Sequence, residues 1–172
     1  MLVRAGLMDE AAYLKTWGES LTRILRGSGR LKQSVAESSF DAWIKFYRQD
    51  ENSPNAVVNY YAKGAAVGLA LDLVIREKTR GRRSLDDVMR LLWERYGRTG
   101  EGVPEEGVER LAEEVAGAKL GKFFAQAVHG TDDLPLERLL RTVGIRMTVR
   151  PAESLGDGGG KATRKSPAAL AS

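Results

Sequence analysis

Residues 57–78 limit the fold more than any other stretch of the chain, because they read as a helix that is apolar on nearly all its faces. Such a helix must be covered from every side, so the other elements have to be arranged around it. Its longest apolar stretch, residues 64–75, is interrupted by Asp72 and is too short to cross a bilayer, which makes it a buried helix rather than a membrane span. Gly64, Ala65, Ala66 and Gly68 are all small. Two glycines in a helix interior cost about 1 kcal/mol each relative to alanine. The spacing therefore predicts that another backbone packs very close there.

The rest of the chain supplies shorter helices. Residues 9–26 repeat Leu14, Trp17, Leu21, Ile24 and Leu25 at three- and four-residue spacing, with Asp9 as N-cap and Gly27-Ser28-Gly29 as the stop. Val35, Phe40, Trp43, Ile44 and Tyr47 fit a second helix, or a short helix and a turn, before a polar loop over 49–55 that carries Pro54. Ser84 with Asp87 three residues on is a capping box with aspartate in place of the usual Glu or Gln, and Leu85, Val88, Leu92 and Tyr96 form a stripe that Gly97 ends. Further helices are expected over 105–116, over 119–128 with Phe123, Phe124 and Val128 inward, and from Pro135 to just before Gly144. Ile145, Met147 and Val149 alternate with polar residues and suggest one short strand. The expected fold is all-α: a helical bundle subdomain over 1–150 with at most one short strand near the C-terminus, then a disordered Gly-, Ala-, Ser- and Lys-rich tail over 151–172.

Composition closes off several chemistries. The 172 residues include no cysteine and one histidine, His129. Disulfides, thiolate metal sites and cysteine nucleophiles are excluded. A lone histidine cannot supply the pair used in common catalytic zinc sites. A net charge of +4 from 27 basic and 23 acidic residues makes a mildly basic surface rather than a nucleic-acid signature, and neither nucleic acid nor membrane is expected as a partner. The opening seven residues are too short for a secretory signal and lack a cleavage pattern, which predicts a cytoplasmic protein. They also start on an apolar segment with no cap, as a chain cut inside a longer protein would.

Each candidate for chemistry has a structural alternative. His129, just before Gly130 at an expected helix end, is better read as meeting the helix dipole than as a ligand or base. Arg76, Lys78, Arg80, Arg82 and Arg83 could touch phosphates, but they lack interleaved aromatics and read as a solvated helix end. Asp86-Asp87, Glu105-Glu106 and Glu113-Glu114 are neighbours that do not face each other on a helix. Tyr60 and Tyr61 open the most apolar helix. A tyrosine there can donate its phenolic proton to an oxyanion formed in acyl transfer, although by physics alone an aromatic core position is the preferred reading.

Three segments taken in order are similar to the glycyl aminopeptidase family of zinc metallopeptidases: Ser38-Ser39-Phe40-Asp41-Ala42-Trp43-Ile44-Lys45-Phe46-Tyr47, Asp50-Glu51-Asn52-Ser53-Pro54-Asn55 and Tyr60-Tyr61-Ala62-Lys63-Gly64-Ala65. Ser84-Leu85-Asp86-Asp87-Val88-Met89 and Gly130-Thr131-Asp132-Asp133-Leu134-Pro135-Leu136 extend the resemblance, which covers about residues 2–149. Members of that family have a thermolysin-like catalytic domain followed by a PDZ domain. The Tyr-x-Lys-Gly arrangement also occurs in the wider aminopeptidase-N-like group, where the tyrosine three residues before the glycine stabilises the tetrahedral intermediate. By position that tyrosine is Tyr61, with Ala62 standing where a glutamate is common.

The family's His-Glu-x-x-His helix does not occur in this sequence, and its downstream glutamate falls shortly before the point where the chain begins. The resemblance therefore implies the helical C-terminal half of a catalytic domain, inactive without its zinc-binding half, holding no cofactor itself and taking zinc only in the complete enzyme. The implied partners are a peptide substrate in that enzyme, the missing N-terminal half and, where truncation uncovers apolar surface, a second copy of the chain. The alternative is a stand-alone helical protein-interaction module that has lost the peptidase chemistry.

Overall fold

The computed structural model describes residues 3–163. Among them are eight α-helices and no strand. They are α1 (Glu10–Arg26), α2 (Val35–Phe40), α3 (Ser53–Ala56), α4 (Tyr60–Thr79), α5 (Leu85–Leu92), α6 (Gly107–Ala116), α7 (Gly121–Ala127) and α8 (Leu136–Arg141). A 3-10 turn spans Ser28–Leu31, and single π-helical turns follow α2 and α5, over Ala42–Phe46 and Trp93–Gly97. No helix among the described residues is long and apolar enough to cross a membrane.

The described chain divides into two compact units: residues 3–27 with 150–163, and Ser28–Val149. In the first, Asp9 caps α1 by accepting the Ala12 N–H at 2.7 Å. The described part of the tail, residues 151–163, has no helix or strand, yet it touches α1 closely: a Cβ added to Gly18 would lie 2.6 Å from Gly160 Cα. Asp157 organises that segment. It takes the Arg150 guanidinium at 2.7 Å and the N–H groups of Glu153 and Gly159 at 3.0 Å each, which holds its carboxyl well below the usual carboxylate range. Residues 164–172, the end of the expected tail, lie outside the described residues.

In the second unit α4 is central, as its all-round apolar sequence requires. It packs against α2, α5, α6 and α8. Ala70 and Ile75 on α4 are fully buried, together with Val88 of α5, Ala112 of α6 and Leu139 of α8. Burying a side chain such as Ile75 contributes about 1.5–3 kcal/mol.

Two expectations are corrected here. Gly64 and Gly68 have no close backbone neighbour, since a Cβ at either would meet nothing within 4 Å. The tight approach is at Gly29, where a Cβ would fall 2.3 Å from the Val57 carbonyl oxygen. The stretch with Ile145, Met147 and Val149 is not a strand, because a lone extended segment has no neighbour to complete its ladder.

Candidate functional site

The site is built at the entrance to α4, and residues distant in sequence fix that entrance. The buried Val58 lies between α3 and α4, outside any helix, with both backbone groups tied to side chains. Its N–H donates to Gln33 Oε1 at 3.1 Å, and its carbonyl accepts from Ser38 Oγ at 2.5 Å. Ser38 is held by α2, whose own start is a capping box: Glu37 N–H donates to Ser34 Oγ at 3.1 Å and Ser34 N–H to Glu37 Oε2 at 2.8 Å. Asn59 then caps α4 by accepting the Ala62 N–H at 2.9 Å. Tyr60 and Tyr61 thus begin the helix at a defined position and angle.

Around them lies an aromatic cluster. The Tyr60 and Tyr61 rings stack at 4.3 Å. Phe46 packs edge-on to Tyr60 at 5.2 Å, and Trp43 lies 5.1 Å from Tyr47. The three phenols are joined through Tyr47, whose hydroxyl is 2.8 Å from that of Tyr61 and 3.2 Å from that of Tyr60. These contacts push the two ends apart: hydrogen bonding to Tyr47 raises the Tyr60 phenol far above its ordinary value and lowers the Tyr61 phenol below it.

Tyr61 is not a core aromatic. It is 60% exposed, and so is much of its surroundings: Phe40 is 90%, Trp43 79% and Ile44 66% exposed. One helical turn further along α4, Ala65 is exposed and Gly64 has open space over it. Lys63, the other motif residue, turns inward. It is 2% exposed, and its Nζ donates to the Arg30 carbonyl at 3.2 Å. Burial pushes this amine below its ordinary value, against the pull of the nearby Asp133 carboxylate. Lys63 therefore anchors the α4 entrance to the 3-10 turn, and Tyr61 alone of the motif's functional groups reaches solvent.

The remaining candidates fall into structural roles. The His129 side chain is exposed beyond α7, with Nε2 3.9 Å from Glu109 of α6. Arg76 pairs with Asp72, Arg83 pairs with Asp87, and Arg82 donates to the Thr79 carbonyl. Glu113 accepts the Leu120 N–H at 2.8 Å just before α7, Glu114 pairs with Arg95, and Glu106 with Arg110. A hollow of about 960 Å³ lined by Lys78, Arg82, Asp87 and Arg90 sits at the far end of α4, about 25 Å from Tyr61 along the helix. Its Asp87 holds both Arg83 and Arg90. Sequence reasoning missed Tyr47 as a partner of Tyr61. In the sequence it stood out only as a member of the apolar pattern of the second expected helix and of the first resemblance segment.

The residues present do not fit a zinc site. Among the described residues, no three histidine or carboxylate side chains converge as a ligand set, and the lone histidine, His129, has one carboxylate near it, that of Glu109 at 3.9 Å.

Residues 1–67 match the family model of M61 glycyl aminopeptidases. The chain is also similar to a crystal structure of an aminopeptidase N family protein from Idiomarina loihiensis, with 39% identity, a TM-score of 0.88 and coverage of 94% of this chain and 28% of that one. The chain thus spans little more than a quarter of that relative's length. No match to a curated protein was found.

Proposed function

By its first 67 residues the chain belongs to the M61 glycyl aminopeptidase family, and from that premise we propose that it is the cleft-wall half of a zinc-dependent aminopeptidase, supplying Tyr61 as the donor that stabilises the tetrahedral oxyanion. The observation that carries this reading is the placement of Tyr61. It stands at the start of the most buried helix, on a backbone pinned by Gln33 and Ser38, with its hydroxyl in a hydrogen-bonded network and its ring 60% exposed. A rigid mount with an outward hydroxyl is what a transition-state donor needs. Peptide hydrolysis develops negative charge on the carbonyl oxygen, and a neutral phenol is a good donor to it. The metal belongs to the half of the enzyme outside this chain, and none of these residues is assigned to it.

The experiment is Tyr61→Phe in a complete peptidase carrying this sequence. Loss of one oxyanion donor lowers turnover by about 100- to 1,000-fold, with fold and metal content unchanged. Tyr60→Phe is the control. If Tyr60→Phe abolishes activity while Tyr61→Phe stays near wild type, the assignment is wrong. A second reading, a helical interaction module without peptidase chemistry, draws on the exposed Phe40, Trp43 and Ile44, and predicts a complete protein that binds peptides or proteins without cleaving them.

A further inference from the structure

The three tyrosine hydroxyls form a chain with Tyr47 in the middle, and where Tyr47 donates within that chain two proton orders are available. A hydroxyl carries one proton, so Tyr47 can donate to Tyr61 or to Tyr60, not to both. Donation along the shorter contact, 2.8 Å to Tyr61 against 3.2 Å to Tyr60, leaves Tyr60 to donate to Tyr47. In that order the spare proton is the one on Tyr61, the 60% exposed end of the chain. In the reverse order the spare proton sits on Tyr60, which is less exposed and stacked under Tyr61. Leaving a donor unsatisfied is least costly where water can reach it.

We propose that Tyr47 is a positioning residue for Tyr61: its hydroxyl donates to Tyr61 Oη, fixes the ring, and leaves the Tyr61 proton directed outward toward a substrate oxygen. This rests on the reading of Tyr61 as an oxyanion donor and deepens it. Linked hydroxyls polarise one another, so accepting from Tyr47 makes Tyr61 the stronger donor. The opposite directions of the Tyr60 and Tyr61 phenols agree with the same proton order. What acts on both phenols is the other tyrosines and burial, with no charged side chain contributing. Tyr47 reaches Tyr61 from the end of the π-helical turn over Ala42–Phe46, and such single π turns recur at functional sites.

The test uses the 172-residue chain itself, with ring-labelled tyrosine followed by NMR as pH is raised. Tyr13 and Tyr96 take no part in the network and serve as references. In the wild type Tyr61 ionises before Tyr60. Tyr47→Phe keeps the ring and removes the hydroxyl, and should move Tyr61 up toward the ordinary phenol value of about 10. Tyr60→Phe should have the smaller effect on Tyr61. A Tyr61 titration unchanged by Tyr47→Phe, or normalised by Tyr60→Phe alone, overturns the proposal. Circular dichroism on each variant, and Tyr47→Leu as a second substitution, separate a lost hydroxyl from a lost fold. The catalytic reading fails independently, as activity that survives Tyr61→Phe in the complete enzyme.

Discussion

Asp72, in the middle of α4, accepts a hydrogen bond from the backbone N–H of Leu85, the first residue of α5, at 2.8 Å. Its other carboxylate oxygen takes the Arg76 guanidinium at 2.7 Å. The one charge interrupting the apolar run of α4 therefore satisfies the first N–H of the next helix, whose N-cap is Ser84. Asp72→Ala should lower stability by about 1 kcal/mol, the usual size of a lost hydrogen bond, or on the order of 2–4 °C in Tm. Asp72→Asn keeps an acceptor and should lose less. Equal melting temperatures for Asp72→Ala and wild type would show that the contact is not formed in solution.

The glycines give a prediction of opposite signs. With nothing within 4 Å of a Cβ at Gly64 or Gly68, alanine at either position should stabilise α4 by up to about 1 kcal/mol. Gly29→Ala should destabilise, because its methyl would meet the Val57 backbone and displace the segment that feeds α4. Denaturant midpoints for the three variants decide the matter. A stabilising Gly29→Ala, or a destabilising Gly64→Ala, contradicts this packing.

Much of the fold was legible in local sequence, and its failures share one cause. Asp9, Ser34 and Ser84 sit at helix starts, and Asp9 and Ser84 could be read as caps because a cap is a relation between near neighbours. The central helix was evident from composition, but it begins at Tyr60 rather than at 57. Gln33 and Ser38 hold the Val58 backbone outside the helix, and periodicity carries no record of partners 20 or 25 residues away. The same limit hid the site. Phe40, Trp43 and Ile44 recur at helical spacing yet are exposed, and Trp43 and Ile44 lie in a π turn that the spacing did not foresee. Tyr61 was legible as a candidate through the motif. Its exposure and its bond to Tyr47 depend on a contact 14 residues long.

Three carboxylates make the unit sensitive to acid. Glu37, Asp87 and Glu113 each accept a backbone N–H at a helix start, from Ser34, Ser84 and Leu120 at 2.8 Å, and that bond is the first cause holding each below its ordinary value. A carboxyl lowered in the folded state binds fewer protons there than when unfolded. Its stabilisation is thus full above the ordinary values of 4.5 for glutamate and 3.8 for aspartate, and is lost as pH falls through the lowered values. Tm should be flat near neutrality and decline below about pH 4.5. Glu113→Gln should melt lower at pH 7 and lose less on acidification. A Glu113→Gln profile parallel to wild type would remove Glu113 from this account.

The last prediction concerns the surface around the candidate site. Phe40, Trp43 and Ile44 are 90%, 79% and 66% exposed, and Tyr47 and Tyr61 are at least half exposed beside them. Large aromatic side chains each present about 150–250 Å², so these five residues together uncover several hundred Å². Patches of that size on soluble proteins generally mark a surface used for binding. In the functional reading the surface faces substrate and the metal-bearing half, and without them a second copy of the chain is the available cover. Sedimentation of the 172-residue chain should show a concentration-dependent shift to a larger species, and Trp43→Asp with Phe40→Asp should abolish it. Both substitutions fall on side chains that are already largely solvated, so helix content should be unchanged. A wild-type chain that remains monomeric at high concentration counts against self-association through this surface.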